Sequence, residues 1–330
     1  MKELKINKSD SGQRLDRFVG KTVPLLPESL LQKYIRLKRI KVNGKGSKRD
    51  YRLTEGDVVQ LYINDEFFQK PDDDNSWLKI TKPRLNIIYE DENILLVDKE
   101  PGVLCHSDGE WSWDTLIANI KAYLKQEGEW NPEEENSFAP ALCNRIDRNT
   151  GGIVIAAKTA EALRIMNEKI KQREIQKYYL CAALGQPAPR TGQLKSFLFK
   201  DAAKNQVFVK KSLEPGAKTA ITEYRVLYSK KDLSLVECRL ITGRTHQIRA
   251  QFADAGWPLL GDGKYGMEKN NRAYGEKGQA LYSYKIEFDF KTDAGVLNYL
   301  KGKIFTVQNV DFVAKHFPEF DYNAFKRNNI

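Results

Sequence analysis

Asp147 has the setting that speaks most directly of chemistry. It lies in a turn between Arg145 and Arg148, and Gly151 and Gly152 follow at once. Glycines there let backbone come close to a ligand, and a carboxylate among guanidinium groups can serve as a nucleophile or a general base. The same arrangement also suits a plain structural task, an Asp satisfying turn amides while its arginines face water. Further along, Gly243-Arg244-Thr245-His246-Gln247-Ile248-Arg249 opens a helical pattern in which Ile248 and Phe252 share a face and Arg249 projects one step around from it. A long Gly-rich turn, 256–266, comes next. By themselves these pieces specify a helix and an ordered loop.

Other chemistries fit less well. Cys105, Cys143, Cys181 and Cys238 are scattered, no Cys-x-x-Cys pair occurs, and His106, His246 and His316 are the three histidines. A zinc site is not expected; the cysteines read as reduced, mostly buried thiols of a reducing compartment. Cys105 and His106 are neighbours, which on a strand sends their side chains to opposite faces, so they are read as structural. There is no P-loop and no acid cluster arranged for metals, which argues against a phosphoester enzyme using the arginines as an anion clamp.

The elements that must carry these residues form about two domains, since 330 residues, 41% hydrophobic and 30% charged, at roughly 150 per domain exclude disorder, collagen and coiled coil. No apolar run approaches the ~18–20 residues of a membrane span, and the first residues lack a signal-peptide stretch. A soluble, cytoplasmic protein with no membrane partner is expected, a monomer by default. The net charge of +10 is concentrated: residues 1–62 hold fifteen Lys and Arg against seven Asp and Glu. Within them Lys33, Arg36, Lys38, Arg39, Lys41, Lys45, Lys48, Arg49 and Arg52 face one acid, Asp50. Such density matches a polyphosphate partner or, more simply, a solvated basic face.

Order in this segment goes beyond a tail. Leu15, Phe18 and Val19 share a helical face, Leu30, Leu31, Tyr34, Ile35 and Leu37 another, and 40–45 reads as a strand entering an Asn43-Gly44 turn, with a returning strand at 57–62. Together these stretches resemble the alpha-L RNA-binding domain, whose second helix and following turn bind structured RNA. The resemblance implies RNA contacts at Lys33, Arg36, Lys38, Arg39, Lys41 and Lys45. Residues 64–84, with Asp72-Asp73-Asp74 and several prolines, read as a tether. Beyond it, apolar strands at 87–89 and 94–97, a helix bearing Leu116, Ile117, Ile120 and Leu124, a strand at 153–157, a helix over about 160–173 and strands at 177–184, 206–211, 220–228, 232–241 and 281–288 make an α+β domain with much antiparallel sheet. The expected domains are 1–63, a linker over 64–84, and 85–330.

Three ordered motifs in the second domain resemble the RluA family of pseudouridine synthases, in the RluC/RluD-like branch. Asn144 to Gly152 match His-Arg-Leu-Asp-Arg-x-Thr-Ser-Gly except at Asn144, Ile146 and Gly151. Lys177 to Cys181 match Lys-x-Tyr-x-Ala with Cys181 for Ala, and Arg244 to Arg249 match Arg-Thr-His-Gln-Leu-Arg, while Gln251 stands where members often carry His. The resemblance implies a pseudouridine synthase fold with a mixed, largely antiparallel sheet and flanking helices. It makes Asp147 the catalytic aspartate, Arg249 its ion-pair partner, Tyr179 the tyrosine that packs on the uracil, Ile248 a wall of the base pocket and Arg145 the residue that fills the gap left by a flipped nucleotide. Arg148, Arg244, Thr245 and His246 join the substrate-binding set. The reaction implied is isomerisation of uridine in RNA, in large-subunit ribosomal RNA or its precursor, with no cofactor and no metal. An RNA-binding assembly factor on the same fold, with impaired catalysis, is the alternative.

Overall fold

A computed structural model describes residues 1–68, 76–109, 112–201, 203–266, 274–276 and 278–327. The N-terminal part contains β1 (Lys2–Lys5), α1 (Leu15–Thr22), α2 (Glu28–Arg36), β2 (Ile40–Val42), β3 (Lys45–Gly46) and β4 (Val58–Leu61). The four strands form a sheet in the order β1-β4-β2-β3. Asn43 and Gly44 both adopt positive φ, 51° and 76°, which is the geometry a two-residue hairpin needs and the reason Asn-Gly marks it. Leu15, Phe18, Val19, Leu31, Tyr34 and Ile35 pack with sheet residues in a separate apolar cluster. The sequence pattern anticipates both helices and the hairpin; β1, four residues alternating with lysines, it does not.

The remainder builds one eleven-stranded sheet. In chain order come β5 (Ile87–Glu90), β6 (Ile94–Lys99), α3 (Leu116–Gln126), β7 (Ala141–Leu142), β8 (Gly151–Ala157), α4 (Ala160–Lys171), β9 (Ile175–Leu184), β10 (Thr191–Asp201), β11 (Gln206–Lys210), β12 (Ala217–Lys230), β13 (Leu233–Leu240), α5 (Gln247–Asp254), β14 (Leu281–Phe288) and β15 (Ile304–Thr306). The main path runs β11-β10-β12-β13-β9-β14-β8-β6-β5, with β15 on β14 and β7 on β8. Only the β14–β8 pair is parallel among the described strands. The expected mixed, largely antiparallel sheet with flanking helices is what forms. Thr115 and Thr159 accept bonds from the amides of Ala118 and Ala162, capping α3 and α4.

Alternation along the central strands separates two apolar layers. On one face Ile153, Ile155, Leu180, Ala182 and Tyr284 pack with α4 and the C-terminal residues. On the other Val154, Ala156, Tyr179, Cys181, Ile248 and Phe252 pack with α3 and α5. The chemical residues lie on this second face.

Three features differ from the expectation of a tether over 64–84. Trp77 packs edge-on against Trp130, with ring centroids 5.3 Å apart, and Ile80 is buried beside Ala118 and Ala122 of α3. The backbone amide of Arg84 donates to Asn119. Packing of a half-buried aromatic and burial of an aliphatic side chain thus fasten 76–84 to the sheet domain; Asp72-Asp73-Asp74 lie outside the described residues. Asp10 is fully buried where the N-terminal part meets residues 134–137: its carboxylate accepts bonds from Asn136 and Ser137, at 2.7 and 2.5 Å.

Candidate active site

Asp147 sits in the loop between β7 and β8. Asn144 holds this loop to the strand that follows it, its side-chain oxygen accepting the Ile155 amide at 2.8 Å. Inside the turn the Thr150 amide donates to the Asp147 carbonyl at 3.0 Å. Lys99, at the end of β6, is wholly enclosed, and its ammonium donates to the carbonyls of Glu100, Val103 and Arg148 at 2.8–2.9 Å. All three of its protons are used, so one buried cation ties the 100–103 segment to the Asp147 loop. Burial lowers its pKa to about 8.

Arg249 reaches this loop from α5, 102 residues away in sequence, and its Nη1 donates to Asp147 Oδ2 at 2.8 Å. The rest of the guanidinium is held from behind. Nε and Nη2 donate to the two oxygens of Asp262 at 2.7 and 3.0 Å, a two-pronged pair. Asp262 Oδ1 also accepts the amides of Lys264 and Tyr265. Side-chain exposure rises along this chain from 0% at Asp262 through 8% at Arg249 to 25% at Asp147, so the buried end is anchored and the open end is a carboxylate. Burial alone would raise the Asp262 pKa; the Arg249 guanidinium and the two amides outweigh it and hold the group below its ordinary value.

Tyr265 lies over this guanidinium, 5.2 Å from ring centroid to Cζ. Its hydroxyl accepts the Val207 amide and stands 2.8 Å from His246 Nδ1. Having accepted one bond, the hydroxyl can donate its proton to Nδ1, which leaves Nε2–H to face Asp147 Oδ2 at 3.9 Å. Burial lowers the His246 pKa, favouring this neutral ring. His246 takes a left-handed φ of 51° at the start of α5, an unfavourable conformation for a residue with a Cβ.

Tyr179, Ile146 and Ile248, the last from the same helix as Arg249, are buried in one apolar cluster. Burial pushes the Tyr179 phenol pKa up, and the charge of Asp147 adds to the effect. The structure thus brings Asp147, Arg249 and His246 together. Arg145, Arg148, Arg244 and Thr245 remain exposed around them; Arg148 and Arg244 donate to the carbonyls of Gly102 and Thr219. In the N-terminal part Lys33, Arg36, Lys38, Arg39 and Lys45 are exposed and Lys41 is half-buried.

Two departures from the motif pattern have local causes. A Cβ on Gly151 would lie 2.3 Å from the ring of Tyr282, so that ring fills the space a larger residue would need. Gln251 is buried and fully occupied: its amide donates to Leu194, Ser196 and Ala220 and its oxygen accepts the Thr222 hydroxyl, tying α5 to β10 and β12. Asp262, Tyr265 and Lys99 escape the sequence reading. The signal for Asp262 was Gly261-Asp262-Gly263 within the Gly-rich turn; Gly261 has φ 77° and a Cβ there would strike the Gly278 carbonyl.

The fold and the sequence relatives are those of an RNA-modifying isomerase. A family described as RNA pseudouridylate synthase matches residues 93–254. The chain is 35% identical over 288 residues to a Mycoplasma genitalium protein named uncharacterized RNA pseudouridine synthase MG370, covering 86% of this chain and 88% of that one. It is 29% identical over 265 residues to ribosomal large subunit pseudouridine synthase C of Vibrio vulnificus, covering 79% of each. Human RNA pseudouridylate synthase domain containing 4 shares the fold, with a TM-score of 0.54 at 18% identity over 70% of this chain and 90% of that one. The chain belongs to the RNA pseudouridine synthase family and is an isomerase. Within the family it falls in the RluA group, RluC/RluD-like branch.

Proposed function

We propose that this enzyme isomerises specific uridines of large-subunit ribosomal RNA, with Asp147 as the catalytic carboxylate. The observation that carries the reading is the 2.8 Å contact between Arg249 and Asp147, backed by the enclosed Asp262. Isomerisation breaks the glycosidic bond, turns the retained base and joins C5 to the sugar, with no net redox change. One fixed carboxylate suffices for attack on the sugar or base, or for removing the ribose 2′ proton. Arg249 aims it; without Arg249 the enclosed Asp262 carboxylate would be left unpaired, which typically costs ~3–5 kcal/mol. Tyr179 and Ile248 offer the base an apolar wall, and Tyr179 adds a hydroxyl near its edge.

A stacked uridine does not expose the reacting carbons, so the nucleotide must be extruded, at a cost of a few kcal/mol. Arg145, exposed on the Asp147 loop, would fill the vacated stack. Phosphate contacts from Arg148, Arg244 and the basic N-terminal residues offset the rest. The large-subunit target is supported by the name of the Vibrio vulnificus relative, and such a substrate places the enzyme in the cytoplasm. The test is a pseudouridine map of ribosomal RNA from cells with and without the gene. At least one large-subunit site should vanish on deletion and return with the wild-type gene; identical maps would refute the proposal.

A further inference from the structure

Ser283 is fully enclosed, and its hydroxyl is one of two buried side-chain polar groups among the described residues with no hydrogen-bond partner, the other being the Trp130 indole. Its place is set by three adjacent strands. Leu281, two residues earlier on β14, belongs to the apolar layer that holds Tyr179 and Ile248, and alternation puts Ser283 on that same face. On one side Ser283 pairs with Gly152, and a Cβ on Gly152 would lie 2.2 Å from the Ser283 carbonyl oxygen, so the exit of the Asp147 loop rests on the Ser283 backbone. On the other side Leu281 and Tyr282 pair with Cys181 and Leu180; one further step brings Ser283 opposite Tyr179, where the ladder shifts. The serine hydroxyl comes close enough to the phenol to oppose the rise that burial imposes on its pKa, without completing a hydrogen bond.

An unpaired buried hydroxyl destabilises a fold, and alanine would fill the same space without that cost. We propose that Ser283 is a positioning residue whose hydroxyl donates to the Tyr179 phenol oxygen when a uracil enters the pocket, fixing the phenol against the base. The inference rests on the proposed base-facing role of Tyr179. It explains why a polar group that the free protein leaves unsatisfied stands beneath the site.

RNA labelled with tritium at uridine C5 loses the label as the new carbon–carbon bond forms, which gives single-turnover rates for wild type, Ser283→Ala, Tyr179→Phe and the double variant. Ser283→Ala should slow tritium release about tenfold, the size of one lost hydrogen bond. RNA affinity should stay within about twofold, and the melting temperature should be unchanged or higher. In the Tyr179→Phe background the serine change should have no further effect. An unchanged Ser283→Ala rate, a slowing that tracks a lower melting temperature, or the same slowing without the phenol hydroxyl would overturn the role. A wild-type enzyme that releases no tritium from ribosomal RNA would sink the proposed function and this role together.

Discussion

At Asp147 one oxygen is committed to Arg249, while a quarter of the side chain stays open. The anchoring falls on Asp262, which has no exposure and pairs with Arg249 through both oxygens. A second buried acid is informative because its environment differs. Asp98 accepts the Tyr282 hydroxyl at 2.8 Å, yet burial pushes its carboxyl up to about 6, with Asp311 and Glu100 adding to the rise. Its folded pKa lies above the unfolded value, so the stability it contributes is complete below about pH 4 and is lost as pH rises through about 6. Asp98→Asn keeps an acceptor for Tyr282 and removes the charge. The variant should gain up to about 3 kcal/mol over wild type at pH 8 and little at pH 4, by denaturant unfolding at the two values. An equal difference at both would rule out this titration.

The loop between β7 and β8 depends on close backbone approach as much as on hydrogen bonds. Gly152 has φ 112°, and its Cβ position is occupied by the Ser283 backbone rather than by a side chain that could yield. Gly152→Ala should therefore cost ~3 kcal/mol or more and depress activity as the loop shifts; melting and single-turnover assays would show both, and a variant with wild-type stability would contradict the packing. Much at this scale was legible in sequence. Helical spacing marked α1, α2 and α4, Asn43-Gly44 marked the hairpin, and the three motifs marked the residues that meet at the site. β10 was not legible, because Gly192, Lys195 and Lys200 break the apolar alternation of a strand that is exposed on one side. Lys99 and Asp262 owe their roles to enclosure by distant segments, which no linear spacing records. The fastening of 76–84 depends likewise on Trp130 and α3, far along the chain.

Over the whole molecule, charge and chemistry occupy different parts of the chain. The exposed cations Lys33, Arg36 and Lys38 crowd α2 and the residues just after it, whereas the carboxylate site lies on the large sheet. Neutralising those three with alanine should weaken RNA binding and flatten its salt dependence by ~0.7–0.9 per lost phosphate contact, leaving the rate on saturating RNA near wild type. Unchanged affinity across a salt series would exclude them from the RNA-contacting surface. The account turns, finally, on whether Asp147 performs the isomerisation. The most direct measurement is nucleoside analysis of unmodified large-subunit ribosomal RNA after incubation with wild type or Asp147→Asn at matched, saturating binding. The account predicts pseudouridine at discrete positions with wild type and a rate lower by at least ~10²–10⁴-fold for the variant; pseudouridine formed equally fast by Asp147→Asn would contradict it.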